Sequence, residues 1–283
     1  MTGGLDPILA STRERIDALR PRRAEIERAA AESVAPPPFR ISPPDGSVGV
    51  IAEIKRRSPS EGDIRADLDP VTLSTLYARG GAVAISVLTE GPHFGGSLSD
   101  LERVTQALPR QTAMVTAEGI SPPVSVLRKD FVLDELQLLE ARAAGAAAVL
   151  LIVRALSTIR LLALAREARW LGLATLVEAH TAEEVEGALA VGATVVGVNA
   201  RDLDTLAVDL RAAEALLPLV PPEVPAVAES GIASRRDVER MAAAGADAVL
   251  VGTALARSPD PIWAVRDLTG VPRRGRAAMG TPA

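Results

Sequence analysis

MAAAGADAVLVG, at 241–252, reads in two halves: an alanine-rich stretch of helical character closing at Gly245, then an apolar run that ends at Gly252. The same unit recurs as YARGGAVAISVL at 77–88, ARAAGAAAVLLIV at 141–153 and ALAVGATVVGVN at 188–199. Glycine readily ends a helix in the left-handed conformation. A short unbroken apolar run after it is a strand buried on both faces. A chain that repeats helix, glycine and buried strand is building parallel βα units.

Working outward, eight strands are expected at 48–54, 83–88, 124–128, 147–153, 175–177, 194–198, 226–228 and 248–251. Helical patterns follow them near 70–78, 98–107, 134–144, 157–171, 182–190, 209–216, 235–244 and 261–268. Sequential right-handed crossovers of eight such units close without edges, which makes the fold α/β, a single (β/α)8 TIM barrel. An open doubly wound sheet is the alternative, but no GxGxxG opens the first unit. Residues 5–31 have helical periodicity and charged faces, and are expected to lay one additional N-terminal helix across an end of the barrel. A Pro-rich connector at 36–45 leads into strand one, and 112–123 is a long stretch before strand three. The organisation is therefore an extension and connector at 1–47, a barrel at 48–270 and a flexible tail at 271–283.

Of the 283 residues 48% are hydrophobic but only 2% aromatic, so the core is made of Ala, Val, Leu and Ile. The net charge of −5 without a basic block argues against nucleic-acid or anionic-membrane partners. Apolar runs fall well short of the ~20 residues a membrane span needs, and no secretory signal is visible. A cytoplasmic protein acting on a small molecule is expected. The absence of cysteine excludes disulfides, thiolate ligands and a cysteine nucleophile. Of 31 basic residues only Lys55 and Lys129 are lysines. A coding bias toward arginine explains scarce lysine, but arginine is effectively always protonated, whereas burial can lower a lysine's pKa until it exchanges a proton. Two lysines in one pocket would favour chemistry over chance.

Barrel active sites form at the C-terminal strand ends. Strand one ends in Glu53 and Lys55, two positions apart and so on one side. Strand three ends in Lys129, strand five in Glu178, strand six in Asn199 and Arg201, strand seven in Glu229, Ser230 and Gly231, and strand eight in Gly252 and Thr253. A single charged strand end is usually just solvated. Carboxylates, lysines, an arginine and an amide converging on one mouth can instead push pKa values apart, as acid–base catalysis requires. Ser230-Gly231 and Gly252-Thr253 occupy the strand ends where barrels commonly hold phosphate, so the substrate should carry a phosphate ester.

At this point IAEIKRRSPS (51–60), SVLTE…HFGGS (86–97), LRKDF (127–131), LVEAH (176–180), GVNARDL (197–203) and AESGI (228–232) resemble, in order, the motifs of the indole-3-glycerol-phosphate synthase family. The resemblance covers roughly 48–257. It implies ring closure, decarboxylation and dehydration of 1-(2-carboxyphenylamino)-1-deoxyribulose 5-phosphate to indole-3-glycerol phosphate in tryptophan biosynthesis, with no metal or organic cofactor. It further implies that Lys129 is the general acid of ring closure and that Lys55 pairs with substrate carboxylate or phosphate and protonates a leaving hydroxyl. Glu178 and Glu53 would shuttle protons, while Asn199, Arg201 and Glu229 hold hydroxyls. Ser58, Ser230, Gly231, Gly252 and Thr253 match phosphate-site positions, Phe94 and Phe131 match walls around the aromatic ring, and Leu250 joins the substrate-binding set. The chemistry supports these types, because carbonyl attack creates an alkoxide that an ammonium acid can neutralise as it forms.

His93 reads as an exposed loop residue, His180 as a helix-start residue, and Arg57 as a charge added near the phosphate. Phosphoribosylanthranilate isomerase is the nearest rival enzyme, but its typical cysteine is missing here. A silent barrel serving as a scaffold is the other alternative, weakened by Lys55, Lys129, Glu53 and Glu178, since buried charges have no purpose in a retired site. Monomer, weak homo-oligomer and association with other tryptophan-pathway enzymes all stay open.

Overall fold

The computed structural model describes residues 4–111, 115–116, 119–120 and 124–276. Eight parallel strands close into a barrel: β1 Gly49–Ile54, β2 Ala84–Leu88, β3 Ser125–Lys129, β4 Ala148–Ile152, β5 Ala174–Ala179, β6 Val195–Asn199, β7 Ala226–Glu229 and β8 Ala248–Val251. Each pairs with its neighbours in sequence, and β1 closes on β8 through Gly49 opposite Ala248 and Ala52 opposite Val251. The expected strands are all present, with β5 longer than anticipated because Glu178 and Ala179 remain in the ladder.

Helices cover the outside: α3 Pro70–Gly80, α4 Leu98–Gln111, α5 Glu135–Ala143, α6 Thr158–Trp170, α7 Ala182–Ala190, α8 Leu210–Leu216, α9 Arg235–Ala243 and α11 Pro261–Leu268, with a short α10, Thr253–Arg257, directly after β8. Their starts are fixed by side-chain caps on otherwise orphaned N–H groups. Asp69, Asp134, Ser157, Thr181, Asp209, Ser234 and Asp260 each accept from the first turn. The glycines of the repeated unit end helices as expected: Gly145 (φ +79°) and Gly245 (φ +100°) turn the chain in the left-handed region that a side chain would disfavour.

Along β1, Val50, Ala52 and Ile54 pack outward under the helices, while Ile51 belongs to the inner cluster with Leu127, Leu150, Leu176, Val195, Val227 and Leu250. The two-residue period of a strand then carries the inner face onward to the mouth. Glu53 follows Ile51, Lys129 follows Leu127, Glu178 follows Leu176, and Glu229 follows Val227. Each polar group is thus lifted one step above an apolar floor.

The N-terminal segment is two helices, not one: α1 Leu5–Leu19 and α2 Arg23–Glu32, separated by a 3-10 turn at Arg20–Arg22. Pro21 lacks the N–H a continuous helix needs, and its ring crowds the preceding turn. Leu5, Ile8 and Leu9 of α1 join the inner cluster, whereas Ile26 and Ala30 of α2 pack on Leu136 and Leu139 of α5. Arg15 anchors α1 through a 2.9 Å ion pair with Asp130, next to Lys129. Asp130 is fully buried and also accepts from Thr89 at 2.6 Å and Arg128 at 3.1 Å.

At the opposite face the connector packs so closely that a side chain at Gly49 would run into the Ile41 carbonyl. The expected tail from 271 on is held in place as far as Arg276. The Val48 N–H donates to Val271 O at 2.7 Å, and Arg276, its guanidinium buried, pairs with Asp247 at 2.9 Å and donates to Val224 O at 2.7 Å. Residues 277–283 and most of 112–123 lie outside the described residues; of the latter stretch, Val115–Thr116 pairs antiparallel with Gly119–Ile120.

Candidate active site

A cavity of about 490 Å³ opens at the C-terminal ends of the strands. Every candidate catalytic and substrate-binding residue named from the sequence lines it, and the sequence order of the strands becomes a ring of side chains. Lys129 Nζ lies at the centre, 2.9 Å from both Glu178 Oε2 and Glu229 Oε2. Lys55 Nζ stands 3.0 Å from Glu53 Oε1. The Asn199 side-chain Oδ1 accepts the Arg201 backbone N–H at 2.9 Å, and the Arg201 guanidinium reaches across to Ser60 Oγ at 3.1 Å, joining the loops after β6 and β1.

Burial presses Lys129 toward the neutral amine, but Glu178, Glu229 and Glu53 outweigh that and hold the ammonium above the ordinary lysine range. This corrects the expectation of a lysine made labile by burial. The two carboxylates diverge. Burial would raise Glu178, yet Lys129 and the His180 ring beside it, helped by Asn199, keep it well below the usual carboxylate range. Glu229 is pushed up to about 7, because desolvation and its repulsion from Glu178 exceed the pull of Lys129. One carboxyl therefore stays ionised while the other takes up a proton near neutrality, a division suited to proton transfer.

The walls differ around the ring. Phe94 and Phe131 face one another with centroids 6.2 Å apart and form an apolar side with Leu150, Ile152 and Leu250. At the ends of β7 and β8, Ser230 and Gly231 are consecutive residues of positive φ, +67° and +75°, and Gly252-Thr253 opens α10. Ser58 enters from the loop after β1, where Arg57–Ser58 pairs antiparallel with Gly62–Asp63.

Three readings change. His93 is partly buried, not exposed: its Nδ1 is 2.9 Å from Glu90, a fully buried carboxylate that also accepts the His93 and Phe94 backbone N–H groups and so shapes the loop carrying Phe94. Arg57 donates to the Pro92 carbonyl and is not among the lining residues, so it ties two loops together rather than charging the cavity. His180 does precede α7, but its side chain is nearly buried beside Glu178.

Sequence reasoning also missed Leu5, Pro7 and Ile8, which bring α1 onto the cavity wall. Their signal was the apolar face of 5–31, which gave no indication of which barrel end it covers. Gly197 was missed too. A Cβ there would collide with Glu229 Oε1, so the absent side chain makes room for that carboxyl. Among the described residues no group of three or more His, Asp or Glu side chains is placed to hold a metal ion.

A family model described as indole-3-glycerol phosphate synthase matches residues 5–268. Proteins of that name from Kineococcus radiotolerans and Nocardioides sp. are similar to this chain, the first 48% identical over 93% of the chain and 94% of the relative, the second 50% identical over 86% and 89%. Among solved structures, 3-hexulose-6-phosphate synthase from Salmonella typhimurium superposes with a TM-score of 0.58 at 16% identity, covering 78% of this chain and 96% of that one. Orotidine 5'-phosphate decarboxylase from Pyrococcus horikoshii gives 0.55 at 13% identity, covering 77% and 96%. At such identities these two structures speak to the barrel fold alone.

Proposed function

This chain belongs to the indole-3-glycerol phosphate synthase family, and on that premise we propose how its cavity divides the work of the family's reaction. The enzyme is a carboxy-lyase that closes 1-(2-carboxyphenylamino)-1-deoxyribulose 5-phosphate to indole-3-glycerol phosphate, releasing carbon dioxide and water. The phosphate sits against Ser230, Gly231, Gly252 and Thr253, with Ser58 completing the site. The anthranilate ring lies along Phe94, Phe131 and Leu250. Lys55, steadied by Glu53, meets the substrate carboxylate.

As the ring carbon attacks the ketone, the new alkoxide receives a proton from Lys129. Substrate hydroxyls that take over the hydrogen bonds of Glu178 and Glu229 weaken the carboxylate hold on that ammonium and let it donate. Glu229, Asn199 and Arg201 hold those hydroxyls. Glu178, with Glu53, takes the proton released as the indole becomes aromatic, and Lys55 protonates the departing hydroxyl.

The observation that carries this reading is Lys129 centred 2.9 Å from two carboxylates of opposite protonation tendency. Indole fluorescence after mixing the protein with the carboxyphenylamino-deoxyribulose phosphate tests it. Wild type should generate the signal and Lys129→Met should not; a folded wild type that makes no indole overturns the reading. No helix among the described residues is long and apolar enough to cross a membrane. The proposed setting is the cytoplasm, with the enzyme working as a monomer or weak homo-oligomer.

A further inference from the structure

Glu178 has two oxygens, and each faces a different nitrogen base, one an amine and the other an imidazole. Oε2 accepts from Lys129, while Oε1 faces His180 Nε2 at 3.4 Å. On its far side the ring meets Glu184, with Nδ1 3.1 Å from Oε2, and that oxygen also accepts the His180 backbone N–H at 2.7 Å. Arg154 Nε donates to Glu184 Oε1 at 3.1 Å, and Arg154 reaches Asp204 at 3.8 Å. Side-chain exposure rises along this line, from 2% at Glu178 and 4% at His180 to 14% at Glu184, 23% at Arg154 and 75% at Asp204. A row of ionisable groups that do not themselves line the cavity therefore runs from Glu178 to solvent. His180 Nε2 is buried and makes no formed hydrogen bond. A small shift of the Glu178 carboxyl closes that gap.

The reaction has a use for such a row. The substrate enters with an ionised carboxylate and leaves as a neutral indole, carbon dioxide and water, so each turnover consumes one proton. The former ketone oxygen collects two protons before it departs as water. One is balanced by the C–H proton lost as the indole forms; the other comes from solvent. With substrate across the mouth, the direct path for that proton is obstructed.

We propose that His180 is the proton inlet of this enzyme, a positioning and relay residue that acts on the substrate only through Glu178. When Lys129 has given its proton to the alkoxide, Glu178 no longer faces an ammonium and becomes more basic. The Nε2 proton passes to Glu178 Oε1, rotation of the carboxyl presents it to Lys129 Nζ, and the ring is recharged from solvent on its Glu184 side. The groups governing its charge are Glu178 from β5 and Glu184 from α7, with Arg154 and Asp204 behind Glu184 and Lys129 beyond Glu178. The inference rests on the functional reading above.

His180→Gln keeps hydrogen-bonding reach but cannot carry a proton, and His180→Gly leaves space for imidazole added to the assay. The expected result is that kcat falls about tenfold or more in both with KM within about twofold. Millimolar imidazole should restore kcat saturably in His180→Gly but not in His180→Gln. Wild-type kcat in His180→Gln, a loss confined to KM, or a His180→Gly deficit indifferent to imidazole overturns the proposal. Wild-type turnover together with an inactive Glu178→Gln keeps the functional reading standing through any of those outcomes. A wild type that produces no indole overturns both.

Discussion

Replacing Lys129 by Met removes an ammonium whose two partners are buried carboxylates, each 2% exposed. Two effects follow, and they separate experimentally. A positioned general acid is worth about 10²–10⁴ in rate. At ~1.36 kcal/mol per decade, that corresponds to a barrier higher by roughly 3–5 kcal/mol. Removing one partner of a buried ion pair also costs about 3–5 kcal/mol of stability while the other remains charged. Without Lys129, the desolvation that opposes ionisation at Glu178 and Glu229 is no longer offset, so both folded-state pKa values rise. A raised carboxyl contributes stability that is fully present below its unfolded pKa of ~4.3 and lost as pH climbs through the folded value. Lys129→Met should therefore lose unfolding free energy between pH 5 and pH 8 more steeply than wild type. Lys129→Arg retains a cation and should recover most of the stability but little of the turnover. The assays are indole fluorescence at saturating substrate and urea unfolding at the two pH values. A folded Lys129→Met variant within tenfold of wild-type kcat, or one whose stability tracks wild type across that range, would refute the reasoning.

Glu229 is raised to about 7, so its ionisation costs stability as pH climbs from ~4.3 through that value. Glu229→Gln should be more stable than wild type at pH 8, and this advantage should disappear by pH 5 in parallel urea melts. Asp130→Ala leaves Arg128 and Arg15 without their shared buried carboxylate, and thermal unfolding should report a loss of about 3–5 kcal/mol. Gly252→Asp puts a carboxylate against both the Glu53–Lys55 pair and the phosphate wall. Steady-state kinetics should show KM raised at least tenfold, and an unchanged KM would exclude phosphate from that wall. Gly197→Ala crowds Glu229 and should lower kcat in steady-state assays and cost about 1–3 kcal/mol in urea unfolding.

The barrel was legible because its signals are local. A helix, a glycine and a buried strand lie within a dozen residues of each other, and the site residues fall two positions beyond inward-facing apolar ones. What the sequence concealed depends on contacts between distant segments. The amphipathic face of 5–31 announces a helix, but Pro21 divides it and only the packed fold puts Leu5 and Ile8 at the mouth. His180 looks like part of a helix start until the fold sets it between Glu178 and Glu184. Lys129 stands out in the sequence as one of only two lysines and as the end of a strand, but its charge is decided by carboxylates from β5 and β7, 49 and 100 residues away along the chain.

Lys55 and Lys129, the only lysines in the chain, are each just 13% exposed inside one cavity. Amine-directed acylating reagents thus have few targets on the native protein beyond its amino terminus, and any further modification reports on access to the catalytic cavity. A lysine-specific endopeptidase would likewise find its two cut sites closed in the folded state. Once the barrel opens, cleavage should yield three pieces, 1–55, 56–129 and 130–283, so that simple gel electrophoresis becomes a direct gauge of unfolding.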